Sequence, residues 1–169
     1  MKNIFCAALC ALFFCCSNKV AIHPLQDGLY LVDKKLSTAR EETVGKDQAL
    51  VHFNPDFSEN APDSCTGLLV STKEFVPLEL LGEPQILRQE PATTKLELSF
   101  CKSSSEKLEK LSGENIMREA AMVISGEALT VHKIRDTIRN GKMEITGCSD
   151  KACEKLFTAI RDSRLTQAK

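Results

Sequence analysis

Short apolar runs separated by polar turns recur along most of this chain, a pattern typical of strands more than of long helices. In residues 95–100 the alternation is strict, so Leu96, Leu98 and Phe100 are expected to share one buried face. The runs predict strands at residues 28–32, 49–53, 67–71, 85–88, 95–100, 120–124, 128–134 and 142–146. Residues 54–64 are predicted to form an exposed loop, because they combine two prolines with asparagine and aspartate.

Two segments carry helix signals instead. Ser103 and Glu106 form a capping-box pair, and the helix after them is predicted to reach about residue 116. Ser149 is predicted to cap a last helix that ends near residue 161. Gly126 and the dipeptide Asn140-Gly141 mark tight turns. The resulting order of elements predicts an α+β fold, in which two helices pack on one face of an antiparallel sheet.

The N-terminus has the pattern of a bacterial signal peptide. Lys2 precedes an uncharged run over residues 4–14, and this run is too short to span a bilayer as a helix, which needs about 20 residues. The cysteines that follow suggest a lipoprotein signal over residues 1–16, with Cys16 lipidated by a diacylglycerol and palmitate-type chains. Lipidation at Cys15, simple secretion and a buried N-terminal helix are the alternatives.

Composition narrows the class of partner. Loss of Lys2 with the signal takes the formal net charge from −1 to −2, and no block of like charge stands out. The chain also lacks tryptophan. These features argue against nucleic acid as a partner, because nucleic-acid binding needs a basic surface or stacking aromatics.

Four of the eight cysteines lie beyond the signal segment, an even number that favours disulfides in an exported chain. We predict a bridge between Cys148 and Cys153, and a less secure one between Cys65 and Cys101. No histidine lies near Cys148 or Cys153 in sequence, so a metal site is not expected.

The sequence contains none of the common hydrolase, metalloprotease or phosphate-loop motifs. His132, two residues before Ile134 on a predicted strand, is expected to be a packed or exposed strand residue rather than a catalytic base. We therefore predict no catalytic residue, no bound cofactor and no metal.

The order of features over residues 114–147 is more specific. Glu114-Asn115 ends a helix, an apolar strand leads to the Gly126 turn, and Ile134-Arg135 precedes a Gly141-Lys142 strand. A final Ile145-Thr146-Gly147 closes the pattern. This stretch resembles the head subdomain of the large periplasmic domain of SecD, in the SecDF protein-export family. The resemblance continues without gaps over about residues 96–156, and extends more loosely back to residue 68.

The resemblance implies contact with emerging polypeptide, and it supplies no catalytic residue. His132 stands where the family tends to have proline, and Glu119 replaces a basic residue. The family's membrane helices, with their proton-handling groups, have no counterpart here, so we expect no coupling to a proton gradient.

The prediction is therefore a signal peptide at 1–16, a linker and extension at 17–64, an α+β domain at 65–163 and a tail at 164–169. The leading hypothesis is a lipid-anchored, extracytoplasmic, non-enzymatic protein that binds polypeptide or an export or envelope partner. The alternatives are an envelope structural lipoprotein unrelated to export, and an enzyme. An apolar groove between the 120–134 hairpin and the last helix would favour polypeptide binding. A deep pocket with converging titratable groups would favour an enzyme, and a smooth polar surface a structural role.

Overall fold

The computed structural model describes residues 25–37, 43–57, 65–89, 93–146 and 149–167. Cys16 and the rest of the predicted signal segment lie outside these residues. The strands are β1 (Gly28–Leu36), β2 (Gln48–Phe53), β3 (Gly67–Pro77), β4 (Gln85–Gln89), β5 (Thr93–Ser99), β6 (Glu119–Ile124), β7 (Glu127–Lys133) and β8 (Lys142–Thr146). The helices are α1 (Lys102–Glu114) and α2 (Asp150–Gln167), with a short 3-10 helix at Pro55–Phe57.

Five strands form a closed barrel in the order β1-β3-β2-β7-β6. Four of its five strand pairings are antiparallel. The barrel is closed by a short parallel pairing of β2 with β7, in which His52 lies opposite Glu127 and Phe53 opposite Ala128. β1 and β2, which fall in the segment predicted as a linker and extension, are thus two of the barrel strands.

Alternation along each strand divides the barrel residues between two hydrophobic clusters. Tyr30 and Val32 of β1 belong to the cluster inside the barrel. Tyr30 stacks on Phe75 at 5.0 Å between ring centroids, and its hydroxyl donates to the Gln26 carbonyl at 2.6 Å. Burial, together with the negative charge of Asp27, raises the pKa of this phenol to about 12.

The remaining three strands form a separate antiparallel sheet in the order β4-β5-β8. Its inner face presents Leu96, Leu98 and Ile145, each at most 2% exposed. The two leucines lie on the buried face that the alternation along β5 predicted. This face packs with both helices and with the outer side of the barrel, from which Leu31 and Met122 project into the same cluster. β1 and β6 are therefore buried on both sides.

The start of α1 differs from the predicted capping box. The helix begins two residues earlier than Ser103 implied, its N-cap is Cys101, and the Cys101 side chain makes no cap hydrogen bond. Instead the Glu79 carboxylate accepts from Cys101 Sγ (3.1 Å), Ser103 Oγ (2.9 Å) and Ser104 Oγ (3.0 Å). These hydrogen bonds, that from Cys101 first, lower the pKa of Glu79 below its usual range. A carboxylate at a helix N-terminus also complements the helix dipole.

α2 begins as predicted, with Ser149 Oγ accepting from the Ala152 amide at 3.3 Å. It runs past the expected end near residue 161 and into the predicted tail. Ser163 is 7% exposed and its hydroxyl donates to the Asp27 carboxylate, while Arg164 donates to the Gly82 carbonyl. Asp27 also accepts from the Ser125 amide at 2.7 Å, so one side chain joins the start of β1, the β6–β7 turn and the end of α2.

The α+β class is confirmed, but the strands form two sheets instead of one. The predicted bridge between Cys65 and Cys101 is wrong, since both are free thiols. Cys65 is buried in the barrel cluster, whereas Cys101 lies at the start of α1 beside Glu79. Cys148 lies outside the described residues, so its pairing with Cys153 stays a prediction.

Candidate functional site: a groove beside an open strand edge

A groove of about 450 Å³ lies between the β6–β7 hairpin, α1 and β8. Its apolar wall is built from Leu29, Leu108, Leu111, Met122 and Ile145. This volume falls in the range of about 300–1,000 Å³ that ligand sites occupy. The groove is thus large enough for a few side chains.

β8 forms one side of the groove. Four consecutive β8 residues, from Met143 to Thr146, line it. Successive strand residues point to opposite faces, so all four can line one groove only if it runs along the edge of the strand. In the part of the chain that the structure describes, β5 is the strand partner of β8 and no strand pairs with its second edge. We call this second edge the open edge of β8.

β7 forms the opposite side, and a bulge controls what it presents. Met122 pairs with Thr130 while the next β6 residue, Val123, pairs with Ala128, so Leu129 is an extra residue in β7. A bulge of this kind shifts the alternation by one residue. Thr130 and His132 consequently line the groove with Met122, instead of pointing into the barrel.

Thr130 and His132 bring polar atoms into an apolar surrounding. Thr130 is 1% exposed. Thr130 Oγ1 and His132 Nε2 are buried and have no hydrogen-bond partner among the described residues. Burial lowers the pKa of His132, since desolvation disfavours the imidazolium form. An unpartnered buried polar atom costs roughly 1–3 kcal/mol, which makes this pair an unusual feature of the fold.

The end of α1 forms the third side of the groove and is held by side-chain hydrogen bonds. Ser112 Oγ donates to the Leu108 carbonyl at 2.7 Å and accepts from the Ile138 amide at 2.8 Å. Asn115, 7% exposed, bonds the Leu111 carbonyl through Nδ2 at 2.9 Å and accepts from Arg118 through Oδ1 at 2.9 Å. The helix end expected at Glu114-Asn115 is thus observed, with Asn115 as the C-cap of α1. These contacts fix the helix against the segment that follows β7.

The charges that line the groove balance. Lys133 and Arg135 are cationic, Asp136 and Glu144 are anionic, and all four side chains belong to exposed residues. Ser112 Oγ is occupied by hydrogen bonds with the backbone, and among the described residues His132 Nε2 has no hydrogen-bond partner from which it could take a proton as a base. Among the described residues, no group of three or more histidine, cysteine or acidic side chains is arranged to hold a metal.

A groove between the hairpin and the last helix was the feature that would favour polypeptide binding. The observed groove lies instead against α1, and none of its lining residues belongs to the last helix. It lies between the 120–134 hairpin and β8. Glu127, at the far end of the hairpin, does not line the groove; it lies opposite His52 at the barrel closure. Thr130 was missed because the phase shift at Leu129 has no signal in the hydrophobic pattern.

Residues 72–166 match the family model described as SecDF, P1 head subdomain. No curated protein matches this chain. None of the described helices is both long and apolar enough to cross a membrane.

Two solved structures are similar to part of the chain. One is titled "Structure and function of a membrane component SecDF that enhances protein export"; it is 25% identical over 50% of this chain and 39% of its own, with a TM-score of 0.40. The other is titled "Crystal structure of SecDF in Super-membrane-facing form"; it is 18% identical over 79% of this chain and 18% of its own, with a TM-score of 0.45. This chain therefore spans well under half of either protein.

Because the family match covers more than half of the 169 residues, the chain belongs to the SecDF P1 head subdomain family, and the resemblance seen in the sequence is confirmed.

Proposed function

We propose that this member of the SecDF P1 head subdomain family is a non-enzymatic, extracytoplasmic protein of the export process that binds extended polypeptide in the groove. The observation that carries the proposal is the groove between the hairpin and the open edge of β8. A strand edge offers main-chain donors and acceptors to an added strand, and the adjacent apolar wall receives alternate side chains. The family membership supports the assignment to protein export.

The size of β8 sets the length of the bound segment. Five residues at about 3.4 Å each give an edge of roughly 17 Å, which matches about five residues of an extended chain. A folded protein does not enter such a groove, whereas an unfolded segment does. Main-chain pairing is largely independent of sequence, as a protein that meets many exported chains requires.

We further propose that the chain is held at a bacterial membrane by lipid on Cys16, on the periplasmic side or the cell surface. The support is the sequence of the first 16 residues, with its charged start, its apolar run and two adjacent cysteines at its end. Two or more acyl chains give stable anchoring where one does not. Mass spectrometry of the mature N-terminus tests this: a lipid-modified Cys16 is expected, and an N-terminus that retains Met1 would contradict export.

Photo-cross-linking in intact cells tests the binding function. Probes are placed at Lys142 and Glu144, on β8, and at Glu127, which lies outside the groove. We expect the β8 probes to capture secreted chains during export and the Glu127 probe to capture few. If all three capture only resident envelope proteins, the structural-lipoprotein alternative replaces the proposal.

A peptide experiment examines the edge itself. A peptide whose amides are N-methylated at alternate positions cannot donate main-chain hydrogen bonds on one side. We expect N-methylation of the donating side to reduce affinity at least tenfold, and N-methylation of the other side to have little effect. Equal affinities for both peptides would show that the open edge of β8 is not used.

A further inference from the structure

We propose that Thr130 and His132 bind a neutral amide of the bound chain, and that an aliphatic group beside this amide packs on the apolar wall. This inference rests on the proposed function and states what the groove recognises. Thr130 Oγ1 and His132 Nε2 are the two buried polar side-chain atoms without partners that the structure records among its described residues. Both belong to the same strand and line the same groove.

The two atoms are complementary to one primary amide group, such as the side chain of asparagine or glutamine, whose N–H and C=O can point to the same side. A hydroxyl both donates and accepts, whereas Nε2 of a neutral imidazole does one or the other, depending on the tautomer. If Nε2 accepts, the amide N–H donates to it and the amide carbonyl accepts from Thr130. If Nε2 carries the proton, the two roles exchange. An amide therefore satisfies the pair in either tautomer.

A carboxylate fits less well. Lysine, arginine, aspartate and glutamate side chains line the exposed parts of the groove in equal number of each sign, so they provide no net positive charge. Thr130 and the neutral His132 provide no buried positive charge either. Placing an ionised group there costs more than placing a neutral one, because its hydration is lost without a paired charge.

The apolar wall selects the neighbouring group. Leu108, Leu111 and Met122, each buried, line the groove beside Thr130. An aliphatic side chain next to the bound amide covers this surface and removes it from water. The groove is thus suited to aliphatic stretches of an extended chain that contain asparagine or glutamine.

The test uses a matched pair of probes, isovaleramide and isovalerate, which share one tail and differ in the head group. Backbone NMR shifts of Thr130, His132 and Ile145 in the full mature protein report binding. We expect saturable shifts with isovaleramide and at least fivefold weaker binding of isovalerate at pH 7. Equal binding of the two probes, or binding of neither, overturns the inference.

Thr130→Val separates recognition from a structural role, because valine has nearly the same shape. We expect the variant to bind isovaleramide about fivefold more weakly and to unfold at the same or a higher Tm, since the unpartnered hydroxyl is gone. His132→Phe should weaken the amide likewise, and Thr158→Val, on the exposed side of α2, should change nothing. Unchanged amide affinity in Thr130→Val, or a Tm several degrees lower, contradicts the inference.

The same variants distinguish the two levels of the proposal. If peptides bind equally well to wild type and to Thr130→Val, recognition of an amide by Thr130 is contradicted, whereas polypeptide binding is still supported. If isovaleramide binds as expected and no extended peptide binds, polypeptide binding fails while the amide site stands.

Discussion

The two edge strands of the three-stranded sheet, β4 and β8, have different structural neighbours. β4 lies beside α2, with an ion pair from Arg88 to Glu154 at 3.0 Å across the contact. The open edge of β8 lies beside the groove. Proteins usually cover or interrupt strand edges, since unpaired main-chain groups invite another strand. In the described part of the chain neither β4 nor β8 pairs with a further strand on its outer edge, so the apolar groove along β8 is the feature that favours strand addition there.

The largest effect is expected where α2 covers the sheet. Leu156 is fully buried in the cluster between α2, the sheet and the barrel. Leu156→Ala should lower the free energy of unfolding by about 3 kcal/mol, within the range for leucine truncations in cores. Urea unfolding measures it, with exposed Lys151→Ala as the control. A loss of stability below about 1 kcal/mol would mean that α2 packs only loosely on the sheet.

The far end of the same helix is held in part by the hydrogen bonds of Ser163 and Arg164. Ser163 donates to the Asp27 carboxylate, which also binds the β6–β7 turn. Ser163→Ala should cost about 1.5 kcal/mol, as for other hydrogen bonds to charged groups. Amide hydrogen exchange of the last turns of α2 should accelerate with it. Unchanged exchange there would show that the Ser163 hydrogen bond does not hold the helix end.

A smaller effect is expected at the start of α1, which leads into the groove wall. Glu79→Gln should lower stability at pH 7 by about 0.5–1 kcal/mol, the lower part of the range for a hydrogen bond. Since the pKa of Glu79 is depressed in the folded state, its contribution is present above the normal value of 4.5 and is lost as pH falls through the folded pKa. The variant should therefore lose less stability than wild type between neutral pH and this acid range. Parallel pH profiles of wild type and variant would contradict the assignment.

The smallest effect on stability at pH 7 is expected for His132→Gln, because the imidazole is mostly neutral at this pH in both the folded and the unfolded chain. Its pKa is lowered by burial, so below about pH 6.5 the unfolded chain binds a proton that the folded chain resists. Stability should fall as pH decreases from 6.5 toward the folded pKa, and His132→Gln should reduce that slope. The groove is also lined by the charged residues Lys133, Arg135, Asp136 and Glu144, which the variant leaves unchanged. The control variant is His52→Gln, because His52 lies on the exposed side of β2. An equal reduction by both variants would remove the link to burial.

Much of this comparison follows from local sequence patterns. β8 was predicted with its observed bounds, and β5 with its buried face, because alternation and turn residues specify them. Ser125 and Gly126 adopt positive φ, as the tight β6–β7 hairpin turn requires, and Asn140 and Gly141 adopt positive φ in the turn that leads into β8. The family resemblance, carried by the same region, was also correct.

What could not be predicted depends on contacts between distant residues. Glu79, 22 residues before Cys101, binds the side chains of Cys101, Ser103 and Ser104 at the start of α1, so the local Ser103–Glu106 pair was misleading. The extra residue at Leu129 reverses which β7 side chains face the groove. Nothing in the residue pattern shows that α1, and not α2, lines it. The Cys65–Cys101 pairing failed for the same reason, since an even count of cysteines says nothing about which cluster each occupies.

The closure of the barrel has a consequence for the order of assembly. β1, β3 and β2 pair with one another without help from later residues, but the ring needs β6 and β7. The closing pairs His52–Glu127 and Phe53–Ala128 join residues 75 apart in sequence. Such distant contacts form late, because the chain between them must be ordered first. A newly made chain therefore carries an unclosed three-stranded sheet until its hairpin is in place, and this interval is when its own strands are most exposed to pairing with a neighbouring copy.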